Sequence, residues 1–280
     1  MSRRRPLPLE VRLHLYRDAQ TLRGEGLSYR RIVSELAHLH GVKLDRSRIS
    51  FWLRGLQTPL GRIHNPALTP SPELAYVIGC ILGDGTTVAY PPKHQFSVVL
   101  KVKDKEFAEE FDRCASCVLR CSRHKLYYYK KRGLWVARAS STLLYQFLRQ
   151  PWRILRPYIE HSRGCASAFL RAFFDGEGHI GPDRTGHRLL VYNGNTEVLG
   201  CIEQLLREQF NIETTGLRMN RKGGHEPIKG KLYATRDRYY LRIRTRFLER
   251  FRNEIGFSVR RKAEALGRAV VKTRQDLPEP

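Results

Sequence analysis

Apolar residues recur along this chain with the period of a helix in some stretches and the period of a strand in others, and the changes of period mark its elements. Val11, Leu15 and Leu22 form an apolar stripe that predicts a first helix, ended by Gly24 and Gly26. Ser28 is placed to cap a second helix whose inward face is Tyr29, Ile32, Val33, Leu36 and Leu39, with Gly41 after it. A third begins near Asp45 or Ser47. In it Ile49, Trp52 and Leu53 share one face and leave Arg46, Arg48, Ser50 and Arg54 on the other. Arg and Ser contact bases and phosphates, so residues 1–56 read as a helix-turn-helix DNA-binding domain with the third helix as reader. The plainer alternative is a small helical adaptor whose arginines are a solvated face.

From Leu56 to Pro72 the composition shifts to Pro, Gly, Thr and Asn, so residues 57–72 read as a linker and a domain boundary. The stretch that follows, Leu74 to Gly85, is apolar almost throughout, carries small residues four apart at Gly79 and Gly83, and stops at Asp84. It returns in altered form from Phe169 to Gly178, with Ala172 and Gly176 at the small positions and Glu177 in place of the acid. Two copies indicate an internal repeat, residues 73–161 forming one half and 162–280 the other. If the copies pack through Gly79, Gly83, Ala172 and Gly176, both acids meet at one end of the helix pair, at the negative pole of each dipole. The remedy for two such carboxylates is a divalent cation with oxygen ligands, Mg²⁺ first. The alternative is two buried helices closed by Gly85 and Gly178, with acids that merely face solvent. The run is far too short for a membrane span, which needs about 20 apolar residues.

After the first acid, Phe96 to Lys103 alternates as a strand, with Val98, Leu100 and Val102 on one face and Val99, Lys101 and Lys103 on the other. A helix over 104–121, strands over 125–131 and 134–140, and a helix through Leu143 to Leu148 follow. The second half repeats this order: a strand over 188–192, a helix over 195–210, strands over 216–220, 231–235 and 239–244, and helices over 246–256 and 259–271. The fold class is therefore α+β. Its two antiparallel sheets are each apolar on one face and basic on the other, and together could form a saddle on duplex DNA.

Charge supports that partner. Lys plus Arg number 51 against 27 Asp plus Glu, a net charge of +24 that would attract a polyanion. Neither a basic amphipathic membrane helix nor a lipidation signal stands at the N-terminus. Without a signal-peptide core, a cytosolic location is expected, organellar or nuclear in a eukaryote. The six cysteines then read as reduced thiols. Cys114, Cys117 and Cys121 with His124 suggest a metal cluster, but their spacing within an apolar helical pattern favours core.

The pair Val77-Ile-Gly-Cys-Ile-Leu-Gly-Asp-Gly85 and Leu170-Arg-Ala-Phe-Phe-Asp-Gly-Glu-Gly178 resembles the LAGLIDADG homing endonucleases in their single-chain, two-motif form, over roughly residues 73–272. The resemblance implies a repeated αββαββα unit and a monomer that hydrolyses a long double-stranded DNA site with Mg²⁺, Mn²⁺ able to substitute, leaving short 3′ overhangs. It makes Asp84 and Glu177 the metal-binding acids, with carbonyls of Gly83 and Gly176 completing the shell. Lys103 matches the basic or polar residue that the family places at the end of the strand after each motif. Its counterpart here is Gly194, flanked by Asn193. Arg138, Arg218, Arg221, Lys222, Arg242 and Arg244, with Lys101, are the candidate DNA contacts.

Two smaller departures are Leu82, where the second copy has Asp175, and Ala172, where the first has Gly79; the one should weaken helix-end hydrogen bonding and the other widen the helix interface. The chain begins at Met1 without an intein-like nucleophile and ends Pro278-Glu-Pro without a splice junction, so a freestanding, intron-encoded protein is expected. Two readings compete: an RNA maturase acting on intron RNA, and a DNA-binding transcription regulator without catalysis. Because only the first half has a lysine behind its acid, the two DNA strands should be cut at unequal rates, and single-strand nicking assays showing equal rates would count against this.

Overall fold

The computed structural model describes residues 7–59, 61–62, 66–91, 95–183, 186–228 and 231–275. It divides into two units: residues up to 62 with Tyr90 and Pro91 form one, and residues 66–89 with 95–275 the other.

In the smaller unit, α1 (Leu9–Gly24), α2 (Tyr29–His40) and α3 (Arg46–Leu53) surround a core of Leu15, Ala19, Ile32, Leu36, Leu44, Ile49 and Trp52. The Ser28 hydroxyl accepts the Arg31 N–H, and Gly41 ends α2 in the left-handed region at φ 66°, as the sequence pattern requires. Leu39, expected inside, is 61% exposed. The last turn of α2 is instead held by His40, whose ring meets Asp18 at 2.6 Å. Within the expected linker, β1 (Gln57–Thr58) and β2 (Gly61–Arg62) pair antiparallel.

The larger unit is built on two helices. Ser71 accepts the Leu74 N–H and starts α4 (Pro72–Leu82); Ser162 does the same for Cys165 at the start of α8 (Arg163–Glu177). Both are buried along most of their length, and one apolar core surrounds them. Their closest approach is at Gly79, where a Cβ would stand 2.7 Å from the Phe169 carbonyl oxygen and 2.9 Å from the Ala172 methyl. The methyl of Ala172 is therefore accommodated by the bare Gly79 opposite it. One Cβ fits at this crossing and two do not.

Each helix feeds a four-stranded antiparallel sheet. The first, in the order β3-β4-β6-β5, consists of β3 (Gly85–Tyr90), β4 (Gln95–Val102), β5 (Tyr127–Tyr129) and β6 (Leu134–Ser140). Helices α5 (Lys105–Leu119), α6 (Thr142–Leu148) and α7 (Trp152–Glu160) complete this half. The second sheet, β7-β8-β12-β9, consists of β7 (Gly178–Asp183), β8 (Gly186–Asn193), β9 (Arg218–Arg221) and β12 (Arg238–Ile243), with α9 (Thr196–Phe210) crossing between β8 and β9. A separate hairpin of β10 (Gly224–Ile228) and β11 (Lys231–Thr235) extends from it. Helices α10 (Leu248–Glu254) and α11 (Arg260–Gln275) follow. Each half thus has the αββαββα order that the family resemblance implies. No described helix is long and apolar enough to cross a membrane.

Three strands and one helix escape the sequence pattern. Strand β3 is mostly exposed and shows no alternation, β7 carries Gly178, Gly181 and Pro182, which read as turn, and β10 carries Gly224 and Pro227. Helix α7 contains Pro157. Replacing Gly79 by Ala should destabilise the larger unit by about 1–3 kcal/mol through overpacking of α4 on α8, measured by urea unfolding, while Ala172→Gly should cost less. Equal effects of the two substitutions would contradict this packing.

Candidate active site

The two helices end differently although their sequences match. Helix α4 stops at Leu82, and Gly83, not Gly85, is its C-cap, with its N–H on the Gly79 carbonyl at 3.1 Å. Asp84 therefore sits in the turn leading into β3. Helix α8 continues through Glu177, with Gly178 as its cap. Despite this offset the acids meet across the helix pair. A Cβ on Gly83 would lie 3.5 Å from Glu177 Cγ, and one on Gly176 would lie 3.1 Å from Asp84 Oδ2. Each acid packs on the bare glycine of the other copy.

Electrostatics reflect the crowding. Burial raises the pKa of both carboxyls, although Asp84 keeps an exposed side; Asp104 adds to the shift at Asp84, and Asp84 adds to that at Glu177. The opposing charge comes from Lys262, on α11. Its buried ammonium donates to the carbonyls of Phe174 at 3.0 Å, Gly176 at 3.4 Å and Asp175, capping the end of α8. Burial lowers its own pKa to about 8. Asp175 in turn anchors the start of α11. Its carboxylate accepts the N–H groups of Ser258 at 3.0 Å and Val259 at 3.3 Å and the Tyr76 hydroxyl at 3.1 Å, while burial pushes its pKa up to about 6. Leu82, at the matching place in the first copy, can accept none of these bonds.

Each acid opens into its own cleft. Asp84 shares a cavity of about 250 Å³ with Lys101, Lys103, Gly176 and Arg261, whose guanidinium forks onto Asp104 at 2.7 and 2.8 Å. Glu177 shares one of about 830 Å³ with Asn193, Gly194, Arg221, Arg236 and Arg238. The Asn193 amide donates to Glu177 Oε1 at 3.4 Å. Arg238 stacks on Tyr192 at 4.7 Å, and its charge opposes the shift of Glu177. The second cleft therefore has a cation after all, delivered by β12, where Tyr239 pairs with Asn193. The expected inequality of cutting now rests on lysine against arginine. Arg238 could have been sought in the strand beside Asn193. Lys262 carries no such signal, because Arg260-Arg-Lys262 reads as a solvated helix start.

The remaining candidates are dispersed. Lys101 and Arg138 are exposed on one face of the first sheet, in the register Lys101↔Val136 and Val99↔Arg138. Arg218, Arg221 and Lys222 are exposed at β9. Arg242 is held by Asp183 at 3.1 Å, and Arg244 by Glu213 at 3.5 Å and the Thr214 carbonyl at 3.2 Å, so both already have partners within the fold. In the smaller unit Arg46, Arg48 and Arg54 are exposed and Ser50 is half-buried. Among Cys114, Cys117 and Cys121, only Cys114 is buried; Cys121 Sγ lies 4.0 Å from His124 Nε2, and Cys117 faces solvent.

Among the described residues no group of three or more His, Cys, Asp or Glu is placed to hold one metal ion. Asp84 and Glu177 nevertheless fit a hard cation that keeps most of its own water: two oxygen donors meet, and burial and mutual repulsion leave them short of positive charge. The carbonyl of Gly176 is a poorer donor than expected, since Lys262 already uses it.

Residues 164–256 match the LAGLIDADG-like domain family. The fold is similar to that of the homing endonuclease I-DmoI, solved in complex with DNA and Ca; that structure is 19% identical, covers 70% of this chain and 97% of its own, and has a TM-score of 0.50. Full-length DUF199/WhiA from Thermatoga maritima is 18% identical over 75% of this chain and 63% of its own, at a TM-score of 0.45. In sequence, an uncharacterized protein of Methanocaldococcus jannaschii, MJ0398, is 28% identical across 91% of this chain and 92% of its own. The second repeat thus matches the LAGLIDADG-like domain family, and the fold is similar to that of a homing endonuclease.

The carboxylate pair predicts a melting experiment. With a chelator present, Asp84→Asn should raise the melting temperature, because it removes one of two crowded like charges. Added Mg²⁺ should then stabilise the wild type and leave the variant unchanged. Equal stabilisation of both would show that the ion binds elsewhere.

Proposed function

We propose that this protein is a metal-dependent, site-specific DNA endonuclease of the homing type, acting as a monomer on a long duplex. The observation that carries the reading is the meeting of Asp84 and Glu177 across the helix pair, each seated on the other copy's glycine. Asp84 and Glu177 would hold Mg²⁺ or Mn²⁺, which when bound supplies charge stabilisation and water activation for phosphodiester hydrolysis. The rest of the chemistry falls to the chain's own groups. Lys103 and Arg238 face the two clefts and offset phosphate charge, one for each strand. Asn193 orients Glu177. Lys101, Arg138, Arg218, Arg221 and Lys222 spread positive charge over the sheets, where a duplex backbone would lie. The smaller unit acts as a helix-turn-helix anchor that raises the effective concentration of the catalytic unit at its site.

One observation favours a second reading. Lys262 already places a buried cation at the end of α8, as a scaffold that binds DNA without cutting it would need. Cleavage decides between the two. On a plasmid carrying the target, Asp84→Asn and Glu177→Gln should each abolish Mg²⁺-dependent cutting and leave binding within a few-fold. Lys103→Ala and Arg238→Ala should each slow cutting by about 10²-fold, and on different strands. A wild type that binds its site and never cuts would establish the second reading instead.

A further inference from the structure

Two guanidinium groups in the smaller unit, Arg12 and Arg48, share a pocket of about 210 Å³ whose lining includes Trp52, Gln57, Thr58 and Pro59. Arg12 comes from α1, four residues after its Pro8 cap, and Arg48 from the first turn of α3. One arm of the Arg12 fork is fixed, because Nη1 donates to the Pro59 carbonyl at 2.8 Å. Its Nε is buried and has no hydrogen-bond partner among the described residues. Among the described residues neither arginine has an ion pair within 4 Å, and the pocket lining contains no carboxylate. Half-buried Arg113 and Arg156, by contrast, pair with Glu110 and Glu160.

Two like charges beside one pocket, with a donor left unsatisfied, are costly unless an anion joins them. Burial, and after it the charge of Arg48, lowers the pKa of Arg12. A tetrahedral oxyanion suits the arrangement, since the remaining arm of Arg12 and the exposed fork of Arg48 can donate to different oxygens of one phosphate. Trp52 and Pro59, both buried, supply apolar lining beside the two guanidinium groups.

We propose that Arg12 and Arg48 form a phosphate clamp that takes one backbone phosphodiester of duplex DNA. Arg48 then fixes the position of α3 on the backbone and does not read a base. The clamp lies wholly within the smaller unit and needs neither Asp84 nor Glu177. It rests on the reading of the chain as a DNA-binding protein and is independent of whether that protein cuts.

The test uses the full chain with a fluorescent duplex of arbitrary sequence, in chelator so that no cleavage intervenes. Binding is followed by anisotropy across a series of salt concentrations. The double variant Arg12→Gln, Arg48→Gln should lower the slope of log K against log salt by about one, the value for one lost phosphate contact. Its loss of affinity should be the same on every sequence. The single variants should each weaken binding and combine non-additively, as two donors on one phosphate must. Because Arg12 also holds Pro59, the exposed Arg48→Gln is the control for folding, checked by circular dichroism. A slope and affinity equal to the parent's, in folded variants, would overturn the clamp. So would a stabilisation by inorganic phosphate at constant ionic strength that the double variant loses without any change in DNA slope, since the pocket would then serve a free anion. A parent protein that binds DNA but fails to cut leaves the clamp standing and removes only the nuclease.

Discussion

The close crossing of α4 and α8 is the constraint on which the larger unit depends. No side chain can be added at Gly79 without meeting Phe169 backbone, so the distance between the two repeats is set by main-chain contact. That contact determines everything at the C-terminal ends. With Gly83 and Gly176 one turn further on, and equally bare, the side chains of Glu177 and Asp84 have space to cross toward each other. Two acids that would separate in an ordinary helix pair are held together at a pole already negative from the helix dipoles. The result is a local deficit of positive charge. Lys262 relieves part of it from within the fold, and Lys103 and Arg238 stand at the cleft walls.

The symmetry is broken in a way that has a structural reason. Asp175 captures the first amides of α11, which lets Lys262 reach the end of α8. Leu82 cannot do the same in the first half, where α4 ends two residues earlier and Asp84 lies in the turn. The halves therefore offer similar acids on unlike supports: a helical glutamate oriented by Asn193 and flanked by Arg238, and a turn aspartate facing Lys103. Differences between the two strands of a bound duplex would arise from these supports.

Much of this was legible in the sequence because the repeat is written in glycine spacing and in paired acids, which survive without alignment. The helices with strong apolar stripes, and strands β4, β6, β8 and β12 with clear alternation, follow directly from period. The misses have physical causes. Strands β3 and β7 leave the motif helices at glycine and lie at sheet edges, so no apolar alternation marks them, and the glycines and proline of β7 read as turn. Arg242 and Arg244 alternate correctly with Leu241 and Ile243, yet Asp183 and Glu213 hold them, and these acids are brought close only by the sheet. Arg238 and Lys262 reach the acids from strands and helices remote in sequence, where no local pattern identifies them. The pairing of Arg12 with Arg48 is of the same kind, since it exists only once α1 and α3 share a core.

The central claim is that Asp84 and Glu177 together form one divalent-cation site. Uptake of Mn²⁺, followed by loss of the free-ion electron paramagnetic resonance signal, tests it most directly. The wild type should take up the ion, and the Asp84→Asn, Glu177→Gln double variant should leave it in solution. Equal uptake by a folded double variant would contradict the account.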